Sequence, residues 1–119
     1  MNLRSLDLSC NPQVGSKGFS QLMKSGFAEK LENLSMFNCH ITNSQLSINH
    51  LLMVKSVNLS HNPIKSGATK LAKLMSSCLE TLYLVNCEIA AIDIFALIGV
   101  LPRQELAELD LSQNPGIDL

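Results

Sequence analysis

LDLSCNP at Leu6–Pro12 returns as LDLSQNP at Leu109–Pro115 with six of seven letters unchanged, and VNLSHNP stands between them at Val57–Pro63. An echo at such spacing marks a repeated structural unit. With Leu3 as position one, a template of apolar residues at positions one, four and six fits the chain five times, starting at Leu3, Leu31, Val54, Leu79 and Leu106. All fifteen template residues are apolar: Leu3, Leu6 and Leu8; Leu31, Leu34 and Met36; Val54, Val57 and Leu59; Leu79, Leu82 and Leu84; Leu106, Leu109 and Leu111.

Position nine reads Asn11, Cys39, Asn62, Cys87 and Asn114, a strict alternation. Pro follows each Asn, whereas a polar residue and then Ile41 or Ile89 follows each Cys. The starts are 28, 23, 25 and 27 residues apart. This spacing and the L-x-L core resemble the leucine-rich repeat family, and the Asn and Cys alternation resembles its ribonuclease-inhibitor-like class, across the whole chain. Gly18 and Gly67 match the glycine that this class places at the entry to each repeat's helix. The turns after Asn11 and Asn114 are one residue longer than the turn after Asn62, and the second repeat is short, which leaves the local loop geometry open.

The resemblance and the residue pattern imply one α/β domain over residues 1–119. It is expected to be a leucine-rich repeat solenoid, or horseshoe, with a curved parallel sheet of five short strands inside and helices outside. Alternation through L-x-L predicts strands with one buried face. Connections of about 20 residues carry a helix and make neighbouring strands parallel. Phe19, Leu22, Met23 and Phe27 predict one core-facing helical stripe; Ala68, Leu71, Leu74, Met75 and Cys78 predict a second; Ile92, Phe95 and Ile98 predict a third. Ile94 and Leu97 then fall off the core stripe, so the last helix is apolar nearly all round and expected to meet either a partner or a neighbouring loop. Asn11, Cys39, Asn62, Cys87 and Asn114 are expected to form a structural ladder. They would satisfy backbone groups that turn inward without a strand partner, Asn with two donors and an acceptor and Cys more weakly.

Composition narrows the function. Nine basic and ten acidic residues, no Trp and 4% aromatics lack the electrostatic footprint and stacking surface of a nucleic-acid binder. Nothing at the N-terminus reads as a secretory signal, and the apolar stretch 89–101 is too short to span a bilayer, so neither membrane nor secretion is expected. The four cysteines lack paired CxxC spacing, which predicts reduced thiols in a cytoplasmic protein. The triplets at Asn33 and Asn58 match a glycosylation acceptor but fall in expected strands. His40, His50 and His61 show no metal-ligand spacing, and no phosphate loop or nucleophile elbow is present, so no cofactor, metal or enzymatic activity is expected.

Activity is therefore expected in protein binding through the concave face, where positions three, five and seven project. Most are small and polar. Phe37, Tyr83 and Val85 are large or apolar without a structural demand, and aromatic anchors dominate many interfaces. Asn58 lies between them, and Asp7 and Asp110 charge the outer strands, so these six are the candidate contacts. Asp7 and Asp110 lie four strand spacings or roughly 19 Å apart, too far for paired-carboxylate chemistry. Arg4, Glu32, Lys55 and Glu80 at position two predict a surface ladder of alternating charge.

A concave strip of five strands offers on the order of 300 Å², below the roughly 800 Å² per partner of a standard interface. Both ends are expected to be uncapped, which predicts a fragment of a longer array or a piece that self-associates or docks through its ends. Some relatives in this class stimulate nucleotide hydrolysis on a bound small GTPase. The resemblance extends that activity, or enzyme inhibition, to this chain as a further alternative, with Arg103 as the conceivable finger.

Overall fold

The computed structural model of the chain describes residues 2–26, 29–42 and 53–117. Among the described residues, strands of three residues and helices follow in the order β1 (Ser5–Asp7), α1 (Gly15–Lys24), β2 (Asn33–Ser35), β3 (Ser56–Asn58), α2 (Gly67–Lys73), β4 (Thr81–Tyr83), α3 (Ala91–Val100) and β5 (Glu108–Asp110). The strands form a parallel five-stranded sheet in chain order. Residues 43–52 of the connection between β2 and β3, with His50, and the stripe residue Phe27 lie outside the described residues.

Register follows the template without a slip. Leu6, Leu34, Val57, Leu82 and Leu109 stand in one row across the sheet, flanked by the row from Ser5 to Glu108 and the row from Asp7 to Asp110. A slip by one residue would turn all five apolar side chains to water. Leu34, Val57 and Leu82 are buried, while Leu6 and Leu109, which have a strand on one side only, are half-buried. The same gradient holds at position one, where Leu31, Val54 and Leu79 are buried and Leu3 is exposed.

Position eight turns the chain out of each strand. Cys10, Asn38, His61, Asn86 and Gln113 all have φ between 53° and 63°. This left-handed conformation is uncommon outside glycine and favoured by Asn and His, two of which supply three of the five. Each turn stays tied to the next repeat, because the N–H groups of Cys10, Asn38, His61 and Asn86 donate to Phe37, Ser60, Val85 and Ser112 carbonyls. Glycine marks none of these turns, which is why the sequence carries no sign of their left-handed angle.

One residue later the repeats are riveted. Asn62 is fully buried, its Oδ1 accepting the Cys39 and Ile41 N–H groups at 2.9 Å and its Nδ2 donating to the Met36 and Leu59 carbonyls. Asn114 repeats the arrangement with Cys87, Ile89, Leu84 and Leu111. The cysteines reach back in the same sense: Cys39 Sγ donates to Leu8 O at 3.1 Å and Cys87 Sγ to Leu59 O at 3.3 Å. Each of these four residues therefore bonds the position-six carbonyl of the preceding repeat. A thiol is a weak donor and offers no comparable acceptor. Where the following rung is Cys87, the Ile64 N–H turns instead to the Asn62 carbonyl, 2.7 Å away. Asn11 is exposed and bonds only its own Leu8 and Ser9 carbonyls.

The first stripe meets expectation in its described residues, with Phe19 and Met23 buried and Leu22 packed against them. The second is shorter than expected: α2 ends at Lys73, so Ala68 and Leu71 are buried on the helix, Met75 is buried and Leu74 packed beyond its end, and Cys78 is half-buried in the turn that follows. Gly67 opens α2, whereas α1 is opened by Gly15, in the left-handed region at φ 60°, and Gly18 sits within its first turn. The third stripe is corrected. Ile94 and Leu97 are buried along with Leu101, and Ile92 and Phe95 stand 78% and 74% exposed. Residues 94, 97 and 101 form as good a helical stripe as 92, 95 and 98, so apolar periodicity could not choose between them. Tertiary contact chose: Gly116 packs so closely on Ala90, Ala91 and Ile94 that a Cβ there would lie 2.7 Å from each.

Asn62→Ala should lower stability by about 3–5 kcal/mol, because the Cys39 and Ile41 amides lose their acceptor in a dry interior. Asn11→Ala should cost less than about 1 kcal/mol. Urea denaturation of the two variants checks this, and equal losses would remove the ladder from its structural role.

Candidate functional site

The solvent side of the sheet is built from rows three, five and seven, and the repeats divide its labour. In the Asn-type repeats, position five holds the turn: Asp7 Oδ1, Asn58 Oδ1 and Asp110 Oδ1 accept the N–H of Ser9, Ser60 and Ser112 at 2.9 to 3.0 Å. In the Cys-type repeats, that task passes to the neighbour. The Phe37 N–H donates to Ser9 Oγ at 3.0 Å, and the Val85 N–H to Ser60 Oγ at 2.9 Å. The side chains of Phe37 and Val85, with Tyr83 at position five of the same repeat as Val85, are thereby released from backbone satisfaction. Three of the six expected contacts, Asp7, Asn58 and Asp110, carry a turn-holding bond of their own, and three do not.

Phe37, Tyr83 and Val85 line one hollow of about 390 Å³ together with Asn58, Ser60 and His61. Ser60 lies in the row between Phe37 and Val85, one strand from each, and its small side chain leaves the depression between them. An adjoining hollow of about 340 Å³ runs over Ser5, Asp7, Asn33, Ser35 and Ser56 and shares Asn58 and Tyr83 with the first. Tyr83 is fixed in direction: its hydroxyl donates to Glu108 Oε1 at 2.6 Å, and that bond raises the phenol above its ordinary pKa. The floor is laced by Asn33 Nδ2 to Ser5 Oγ, Ser9 Oγ to Ser35 Oγ and Thr81 Oγ1 to Ser56 Oγ bonds.

His61 belongs to this site although its sequence context marks it only as a turn residue. Its ring meets Phe37 edge to face, with centroids 6.4 Å apart, and its Nδ1 lies 3.2 Å from Asn86 Nδ2. The signal that could have found it is the count from the template: position eight follows directly on the outward row of Ser60. His40, by contrast, lies in the turn beside the start of α1, near Pro12, Gly15 and Lys17.

Charge on the face is acidic at both edges. Hydrogen bonds from the Ser9 backbone hold the Asp7 carboxyl below its ordinary range, and the Ser112 hydroxyl and backbone do the same for Asp110. Arg4 and Lys55 both pair with Glu32, at 3.4 and 3.5 Å, at the strand entrances. The expected ladder of position two is thus centred on Glu32. Arg103 donates to the Ile98 carbonyl in the last turn of α3, which places a cation at the negative end of that helix. All four thiols are unpaired, and burial pushes that of Cys87 up to about 11. No group of three His, Cys, Asp or Glu side chains able to hold a metal ion occurs among the described residues. Nor is any helix among them long and apolar enough to cross a membrane.

A family model described as Leucine Rich repeat matches residues 1–23, which take in β1, its turn and most of α1. The match supports a leucine-rich repeat protein. The parallel sheet in chain order and the helices between its strands fit a leucine-rich-repeat-like fold. Leucine-rich repeats generally mediate protein–protein interaction, and the family is typically non-catalytic.

The Asp7 and Asp110 carboxyls, lowered in the folded chain, stabilise it fully above their ordinary value of 3.8 and lose that contribution as pH falls through the folded-state value. The double variant Asp7→Asn and Asp110→Asn keeps both Oδ1 acceptors without the charge. It should show a shallower loss of stability than the parent chain when urea midpoints are followed from pH 5 down to about 2. Coincident acid limbs would show that the two carboxylates contribute nothing as anions.

Proposed function

We propose that the chain is a non-catalytic protein-binding module whose partner seats on the open face of the sheet, around the hollow between Phe37, Tyr83 and Val85. One observation carries this: the large side chains stand where a neighbour's serine has taken over the backbone bond, so the fold gains nothing from their size. Side chains of small polar type would serve the sheet equally well there, as they do at Ser9, Ser60 and Ser112. Aromatic and aliphatic anchors around a shallow hollow are the pattern that concentrates binding energy.

The strict Asn and Cys alternation, with every inner rung bonded to the preceding repeat, supports the ribonuclease-inhibitor-like class and a solenoid whose open face is concave. Unpaired thiols at Cys10, Cys39, Cys78 and Cys87 support a reducing, cytoplasmic setting. Arg103, engaged with the end of α3, supports a structural role over a finger acting on a nucleotide.

A second arrangement, end-to-end packing in a larger assembly, is favoured by a specific feature of α3. Ile92, Phe95 and Ile98 share one exposed flank of that helix, with Ile117 also exposed close to its start. An apolar surface of this kind on a short helix marks a contact surface more often than a chance cluster.

A photo-crosslinking residue placed at Ser35, beside the hollow, should yield protein adducts that disappear when Phe37→Ala and Tyr83→Ala are added. The same probe at Lys17 on α1 should not depend on those changes. Adducts insensitive to both substitutions would remove the open face as the binding surface. For the second arrangement, sedimentation velocity should show concentration-dependent self-association that Ile92→Ser with Phe95→Ser abolishes; a monomer at all concentrations would count against it.

A further inference from the structure

Fifteen side chains occupy positions three, five and seven of the repeats, and none is Lys, Arg or His, while Asp7, Glu108 and Asp110 are acidic. Their distribution is ordered. Asp7 on β1 lies one strand outside Phe37, and Glu108 and Asp110 on β5 lie one strand outside Tyr83 and Val85. The apolar hollow is therefore bracketed by negative charge on both flanks.

The turn geometry can be built without that charge. Every bond that Asp7 and Asp110 make within the turn ends on Oδ1, and Asn58 does the same work with a neutral amide. Nor is the charge neutralised by an internal cation: both ion pairs found among the described residues, Arg4–Glu32 and Lys55–Glu32, lie at the strand entrances, and Glu108 Oε1 accepts only the neutral Tyr83 hydroxyl. At Asp7 and Asp110, carboxylates stand where an amide would build the same turn, and their location on either side of the hollow fits a ligand.

Resting on the binding face proposed above, we infer that its partner is a protein segment carrying one apolar side chain with a cationic side chain on either side. The apolar group enters the hollow over Ser60, and the cations meet Asp7 on one flank and Glu108 with Asp110 on the other. From β3 to either outer strand is two strand spacings, roughly 10 Å, which an extended chain crosses in about three residues. The recognised pattern is thus Lys or Arg, two residues, an apolar residue, two residues, and Lys or Arg. The acids attract and align such a segment, and the hollow supplies the contact that excludes water.

The test uses three fluorescein-labelled peptides, Arg-Gly-Ser-Leu-Ser-Gly-Arg and the versions with Gln or Glu at both ends, titrated with the whole chain by fluorescence polarisation at low salt. The Arg peptide should bind roughly threefold to tenfold tighter than the Gln peptide, and the Glu peptide weakest, in line with exposed charge pairs. In the Asp7→Asn and Asp110→Asn chain, whose turn bonds are retained, the Arg preference should fall by at least half while the Gln peptide binds unchanged; an unchanged preference there overturns the inference. Equal binding of the Arg and Gln peptides to the parent chain, still abolished by Phe37→Ala with Tyr83→Ala, overturns the charge pattern and leaves the binding face standing. Binding untouched by those two alanines removes the face itself, and the absence of binding by all three peptides overturns the recognised pattern.

Discussion

A buried hydrogen-bonding side chain at position nine of each repeat after the first, Asn or Cys, placed where the strand ends, is what the architecture depends on. Strands of three residues give each repeat very few ladder bonds, and the turn that follows pushes amides and carbonyls into an apolar interior. Leaving them unpaired would cost about 1–3 kcal/mol each. Asn62 and Asn114 each settle two amides and two carbonyls at once, one carbonyl from each of two repeats. The same bonds that satisfy a repeat therefore fasten it to its neighbour, so cohesion along the stack and correctness within a turn are one event.

The alternation of Asn with Cys follows from that economy. An Asn rung both accepts and donates, so the repeat before it needs no other partner; a Cys rung chiefly donates, and the repeat before it closes its own turn through the Ile64 to Asn62 bond. A parallel division appears on the opposite side of the sheet, where Asp7, Asn58 and Asp110 hold their own turns while Phe37 and Val85 borrow a serine from the preceding repeat. Two kinds of repeat thus emerge, one that satisfies its outward turn itself and one that is served by its neighbour. The served kind has outward positions without structural duties, and there the apolar side chains of the hollow are found.

Much of this was legible in the residues because period-two alternation and a fixed template leave few options. Leu34, Val57 and Leu82 face inward and the rows on either side face outward, as the template demands, and Phe37, Tyr83 and Val85 stood out as the large members of an otherwise small set. The flank of α3 was not legible, because a helix apolar nearly all round presents two stripes of equal quality and period alone cannot rank them. Nor was the turn at position eight, since Cys10, Asn38, His61, Asn86 and Gln113 share no side-chain chemistry and are alike only in backbone angle. His61 was missed for that reason: its entry into the hollow follows from the turn's geometry, not from its own type.

The chain's letters alone determined the repeat, the strand phase and the identity of the rungs, because burial of alternating leucines and satisfaction of an inward-turning backbone are local demands that recur at every repeat. Only the folded molecule decided which face of α3 meets the core, which outward groups are occupied by turns and which are free, and how Tyr83 is held by Glu108. Those outcomes rest on contacts between residues some 20 to 30 positions apart, such as Gly116 against Ala90 and Ile94 or Val85 against Ser60. No single repeat contains both partners, so the physical choice is made when neighbouring repeats close on one another.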